Sequence, residues 1–554
     1  EDDKDKVERS IAYRKKEWLS SLIPSESEIV SEMIKELDKI NDADVDHPGF
    51  DSWHSSLSGS VSPLTMEDIL KQSIEDTVTF YHEFNKQDHD FMGPSVDGLI
   101  DMLTLTVRKN PRKYIVDCKP LIEAPSQIMY AWIRGLGESW RDEKEKFDST
   151  EAFETILHII QKKEFWESHN SDDNYSRWFI SSLLSFIEDG LRDDNHAFDA
   201  DLLSIIKEIL FTILENDAHP VFDYSDLSMT VLNNSKGKIY MTLFQYSLRL
   251  ARLEAKDNDR WESDIKKLIT QKIELNDENP LLFYVIGQFL PNIHFLDENW
   301  MFENFHKLFP IENETNWSAA MSGYFFHHRR PNRVYFRFFL EGSHLLKAIS
   351  NDIVKGESKN SLIQQICTAY LYDFESIDID KEVIQALINS KNESVLSSLI
   401  FFFWSPRFPF EKKVIHKIKP FWVELFNKAI KMEDEKVDSY ILSGCCKWLN
   451  SVEQIDEEVF EILSKSVAYL NQRDRYSVIE SLSKHINNYP EKVGLILIEL
   501  FKKEVSYDIS RGKLHEMVEN LYDKGHKEIG DKICLLHGEN GFHFLRSLYI
   551  KYNT

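Results

Sequence analysis

The 554-residue sequence predicts an all-α protein, an α-solenoid of degenerate tetratricopeptide-like or HEAT-like helical pairs. Three observations carry that expectation. Glycine and proline number only 19 and 16, about 6% together and roughly half their average usage, so the residues that end helices are scarce. Apolar residues recur with a 3.6-residue period from one end of the chain to the other, and no period-two alternation lasts long enough for a sheet.

Taken in order, Ser25 with Glu28 and Thr65 with Asp68 have the spacing of helix starts, a hydroxyl over the first-turn amides and a carboxylate three residues on. Residues 41–63 between them read as a polar loop with Gly49 and Gly59. In the helix predicted over Asp201 to Asn216, Leu202, Ile206, Ile209 and Ile213 form a stripe. Leu203, Ile205, Leu210 and Leu214 widen it, as expected of a helix buried from two sides. Breaks follow near 218–228 and 311–317. Pro420 suits the first turn of a helix running to about Met432, and Ser451 with Gln454 suggests another start.

From about Asp438, short amphipathic segments recur about every 15 to 20 residues: 440–449, 457–470, 476–486, 492–503, 513–523, 528–536 and 542–552. No strict period and no Trp-x2-Leu-Gly-x2-Tyr consensus accompanies them, hence the term degenerate. The resulting division is 1–60, an N-terminal helical pair and polar loop; 61–225, a helical array; 226–435, a central array; and 436–554, C-terminal repeats. The chain starts at Glu1 without methionine, so it reads as part of a longer polypeptide.

With 66 Lys and Arg against 93 Asp and Glu, the net charge is −27 and spread along the chain, which argues against nucleic acid as the main ligand. Five scattered cysteines without a Cys-x-x-Cys pair fit a reduced, cytoplasmic compartment. The longest apolar runs, 396–404 and 493–501, are about nine residues, too short to span a bilayer.

Chemistry-bearing motifs are sparse. There is no Gly-x4-Gly-Lys-Ser/Thr loop, no dinucleotide loop and no Gly-x-Ser-x-Gly elbow. His515 with Glu519, and Cys534 with His537, have ligand spacing. Neither pair is completed in sequence, so a solvated helix face and a helix end are the expected roles. Cys445 and Cys446 are expected to be small buried apolar residues. No catalytic residue, cofactor or metal is expected.

Two segments depart from the acidic background. Residues 324–337 gather Phe325, Phe326, Tyr335 and Phe336 with His327, His328, Arg329, Arg330, Arg333 and Arg337 around Pro331. The arginines of a helix corner pair with the chain's own carboxylates, or this is a partner contact of the composition found at interface hot spots, or, as a third reading, a nucleic-acid contact. Residues 401–426 are rich in Phe and Trp and carry Lys412, Lys413, Lys417 and Lys419; the aromatics either fill the core, the favoured role, or line a groove, and Lys412 and Lys413 join the candidate partner-binding set.

Leu232-Asn233-Asn234-Ser235-Lys236-Gly237-Lys238 ahead of a long apolar helix resembles the Leu-Asn-x-x-x-Gly-Lys signature in C-terminal helical regions of bacterial anti-phage defence proteins. These include antiviral STAND NTPases of the Avs group and sirtuin-effector proteins. Leu290-Pro291, Asp297-x-x-Trp300, Leu308-Phe309-Pro310 and Trp317 are similar in order, as are 59–70 and the closing 541–549. The resemblance implies a sensor region that docks a phage protein, such as the terminase large subunit, portal or tail tube. Docking would drive self-association and switch on an effector through an NTPase elsewhere in the protein. Asn233, Gly237, Lys238, Trp300 and Trp317 are the signature positions. Their expected roles are structural, Asn233 capping a helix and Gly237 admitting a close helix approach; Lys236 and Lys238 are free to meet an acidic partner. The competing expectation is a helical-repeat scaffold for intracellular assembly with no defence role.

Overall fold

A computed structural model describes residues 2–23, 27–43, 45, 60–86, 93–116, 118–171, 173–218, 225–254, 260–351, 354–405, 414, 416–502 and 511–554. Among them are 30 α-helices, several short 3-10 turns and no strand; one isolated bridge joins Val61 to Pro94. The protein is all-α. No helix among the described residues is long and apolar enough to cross a membrane.

The chain groups into two compact units, Glu1–Thr65 with Tyr81–Met102, and Met66–Phe80 with Leu103–Thr554. In the first, α1 (Asp2–Ser20) packs on α2 (Glu28–Asp38). Lys16 ties the end of this hairpin: its ammonium lies 2.5 Å from Asp38 and donates to the carbonyls of Asn41 and Ala43.

The second unit is built from two rows of helices. In one row, α3 (Ser126–Glu138) packs on α4 (Asn174–Arg192). After the short α5 (Leu227–Asn233), α6 (Ser235–Glu254) packs on α4 and on α7 (Pro280–Leu296). α7 packs on α8 (Glu314–His327); after α9 (Arg333–Glu341), α10 (Gly356–Leu371) packs on α8 and on α11 (Glu393–Trp404). The row continues through Cys446–Ser451, Gln472–Ser483, Arg511–Asp523 and Arg546–Asn553. A second row runs beside it, with contacts from His344–Ser350 through Glu382–Ile388, Ile418–Ala429, Glu457–Ser466 and Pro490–Phe501 to Lys527–Glu539. Among the described residues the main contacts are between near neighbours, the pattern of a helical-repeat array.

The rows explain why the central helices are apolar on more than one face: each is covered by two row neighbours and by the facing row. The crossing of α7 and α8 is the tightest. A Cβ on Gly287 would lie 2.0 Å from the Ala320 carbonyl oxygen, and one on Gly323 would lie 2.0 Å from that of Tyr284. Two glycines thus let the backbones touch reciprocally, which no other residue permits. The helix over 203–216 buries Leu203, Ile206, Ile209, Leu210 and Ile213, while Ile205 and Leu214 are half-buried, so its buried stripe is narrower than predicted.

The C-terminal helices lie close to their predicted bounds, but one start signal is displaced. Ser451 ends a 3-10 turn and donates its hydroxyl to the Phe403 carbonyl at 2.9 Å. The cap of the next helix is Asp456, which accepts from the Val459 amide at 3.0 Å. A carboxylate directly ahead of Glu457 outcompetes a hydroxyl five residues earlier. Pro420 lies in the first turn of Ile418–Ala429. Ser25 lies outside the described residues, as does most of the polar loop over 41–63.

Candidate partner-binding surface

The arginine-rich corner is made where α8 ends and α9 begins. Asn332 starts α9 by accepting from the Val334 and Tyr335 amides. Tyr324, Phe325, Tyr335, Phe336 and Phe339 turn inward and are all at most 3% exposed, the Tyr324 ring 5.0 Å from Phe339. His328 is also drawn in: its Nε2–H donates to the Gln288 carbonyl at 2.8 Å, on the turn of α7 that Pro291 interrupts. The Ser361 hydroxyl and the Gln365 amide of α10 in turn donate to the His328 carbonyl. Burial holds the His328 imidazole below its usual range, so its bonds here are those of the neutral ring.

With these aromatics inside, the cations are left outside together with Phe326, which is 37% exposed. Arg329, Arg330, Arg333 and Arg337 are all exposed, as is His327. Arg329 lies 3.7 Å from Glu357 and Arg337 lies 3.8 Å from Glu341, loose pairs between exposed groups that add little stability. Arg333 lies over the Phe374 ring at 4.1 Å. Arg330 makes no ion pair among the described residues. The rigid base is therefore aromatic, and the arginines are weakly held. Lys412 and Lys413 lie outside the described residues, as do Phe408 and Phe410. Of the neighbouring aromatics, Phe402, Phe403, Phe421, Trp422 and Phe426 are core, the Phe403 ring 5.3 Å from Phe421 and 5.0 Å from Trp448.

The signature positions are structural, with one correction. Asn233 is exposed at the end of α5 and caps nothing; the residue after it, Asn234, accepts from the Lys236 amide at 2.9 Å and opens α6. Asparagine at either position suits a cap, and only the backbone path selects Asn234. Gly237 does admit α5: a Cβ there would lie 2.5 Å from the Val231 Cα. Lys238 faces inward rather than toward a partner. Its ammonium donates to the Ser181 and Ser185 hydroxyls at 2.8 and 2.9 Å and reaches the Ser181 carbonyl at 3.3 Å. Burial lowers its pKa, against the pull of Glu188 and Asp189.

Trp300 donates its indole N–H to Thr270 Oγ1 at 3.1 Å and packs edge-on to Trp261. Trp317 is fully buried and donates to His344 Nδ1 at 3.0 Å, with the Lys347 ammonium 4.4 Å from its ring centre. Burial, and then the Lys347 charge, push the His344 pKa down to about 4. Sequence reading missed His344, since a lone histidine carries no signal of its tryptophan partner 27 residues away.

Among the described residues no other cluster offers organised chemistry. Ser235, Asp217 and buried His169 come together, but the carboxylate stands in the middle. Ser235 Oγ donates to Asp217 at 2.5 Å and His169 Nε2 lies 3.2 Å from the other Asp217 oxygen, so no imidazole is placed to take the serine proton. A cleft of about 880 Å³ lies over Lys266, His294 and Asp297, all engaged: Lys266 pairs with Asp297 at 2.5 Å and His294 Nδ1 bonds the Tyr335 hydroxyl at 2.9 Å. All five cysteines are buried free thiols, and burial pushes Cys445 up to about 12. No group of three or more His, Cys, Asp or Glu among the described residues is arranged to hold a metal ion.

Compared with protein-family models, curated proteins and solved structures, the chain matches none.

Proposed function

We propose that this chain is the ligand-sensing region of a bacterial anti-phage immune receptor. It binds a conserved phage structural or packaging protein, the terminase large subunit, portal or tail tube, and so triggers an effector located elsewhere in the full protein. The observation that carries the reading is the exposed arginine corner, four guanidinium groups on a buried aromatic base in a chain of net charge −27. Arginine on a rigid support is the anchor type of protein interfaces. A helical array supplies an extended surface, and a contact of about 1,600 Å² can discriminate one folded partner from others. The acidic remainder favours approach of a partner with a basic face, and the exposed arginines supply anchor contacts within it. The resemblance of 232–238, 290–317 and 541–549 to defence-protein sensor regions selects a phage protein as that partner.

The test is capture of separately expressed terminase, portal, capsid and tail-tube proteins by the chain, with Arg329→Glu/Arg330→Glu/Arg333→Glu alongside. Capture of one viral protein, lost in the triple reversal, is the expected result. Capture of none by the unaltered chain would remove the sensor reading in favour of an assembly scaffold. Capture that survives the reversal would move the contact away from this corner.

A further inference from the structure

The hairpin of α1 and α2 is amphipathic, yet its apolar face is open. No residue of α2 is buried, and Ile29 and Met33 are 70% and 50% exposed; facing them on α1, Ile11 and Trp18 are 50% and 75% exposed. Together they line a groove of about 870 Å³. Two helices of this length cannot bury enough surface to stand alone, and so large an uncovered apolar strip marks an interaction site.

The charges within the groove indicate what covers it. Arg14 and Lys15 lie on its α1 side, and Glu32 and Glu36 on its α2 side. Among the described residues, Arg14, Lys15 and Glu32 make no ion pair, and Glu36 pairs with its neighbour Lys39. The groove is basic along one helix and acidic along the other, so a two-fold axis running along it lays α1 of each copy on α2 of the other and matches both edges at once. We propose that a second copy of this chain docks here, the two hairpins closing a four-helix bundle around Ile11, Trp18, Ile29 and Met33. This surface is independent of the arginine corner and does not rest on the sensor reading.

Light scattering on the full chain, with charge reversals, tests it. The unaltered chain is expected to be dimeric at micromolar concentration. Arg14→Glu/Lys15→Glu and Glu32→Lys/Glu36→Lys should each weaken the dimer at least about tenfold, because each makes the two edges alike. An equimolar mixture of the two reversed chains should dimerise again, since acidic α1 of the first then meets basic α2 of the second, and basic α1 of the second meets acidic α2 of the first. All four positions are on an open face, so unchanged far-ultraviolet circular dichroism is expected and checks that the variants fold. A monomeric unaltered chain, reversals that stay dimeric, or a mixture that stays monomeric would each overturn the proposal, the first leaving the groove to a different protein.

Discussion

The pair α7/α8 and the pair α1/α2 are both packed helix pairs and end at opposite extremes: α7 is apolar nearly all round, whereas α2 carries one apolar stripe. α7 buries most of its residues on all sides and touches α8 backbone to backbone at Gly287 and Gly323, whereas α2 buries none. Periodicity tells a helix which side is apolar. Whether that side is covered depends on how many neighbours the chain supplies, two rows in one case and a single hairpin partner in the other.

The largest effect is expected where the backbones touch. Gly287→Ala or Gly323→Ala should lower stability by about 3 kcal/mol, because the added methyl meets a carbonyl oxygen rather than a yielding side chain. The sign is informative, since glycine to alanine in an open helix gains about 1 kcal/mol. A denaturation midpoint equal to or above that of the unaltered chain would remove the close crossing.

His344, beside α8, comes next. Held at about 4 in the folded protein against 6.5 when exposed, it stays neutral while the unfolded chain takes up a proton. Stability should therefore fall as pH drops from 6.5 to 4, by about 3 kcal/mol from this group. Urea titrations across that range should show a shallower slope in His344→Gln; an unchanged slope would exclude the neutral Trp317 contact as its source.

Lys238→Met should cost about 1 to 2 kcal/mol, as the Ser181 and Ser185 hydroxyls lose their shared donor. If a thermal melt shows no loss, the lysine is not held inside. The smallest effect belongs to Arg330→Ala, within about 0.5 kcal/mol by the same melt, because an exposed side chain without an ion pair contributes little to folding. A larger loss would mean that the arginine corner is part of the fold rather than a surface on it.

The sequence was enough for the all-α class, the order of the C-terminal helices and the presence of a basic aromatic corner, because these follow from local spacing and composition. Local pattern also placed Gly237 at a close approach. It did not separate Asn233 from Asn234, or Ser451 from Asp456, since several residues at a helix start can cap it and the backbone path selects one. Isolated glycines at 287 and 323 within apolar helices carry a local signal of close approach, but their meaning depends on two segments meeting 36 residues apart. Which arginines stay weakly held depends on Phe374 and Glu357, which reach the corner only through packing of later segments. Tertiary structure also turned Lys238 inward and left α2 uncovered. A helix's pattern is set by its own residues, while burial, pairing and pKa are set by residues distant in the chain.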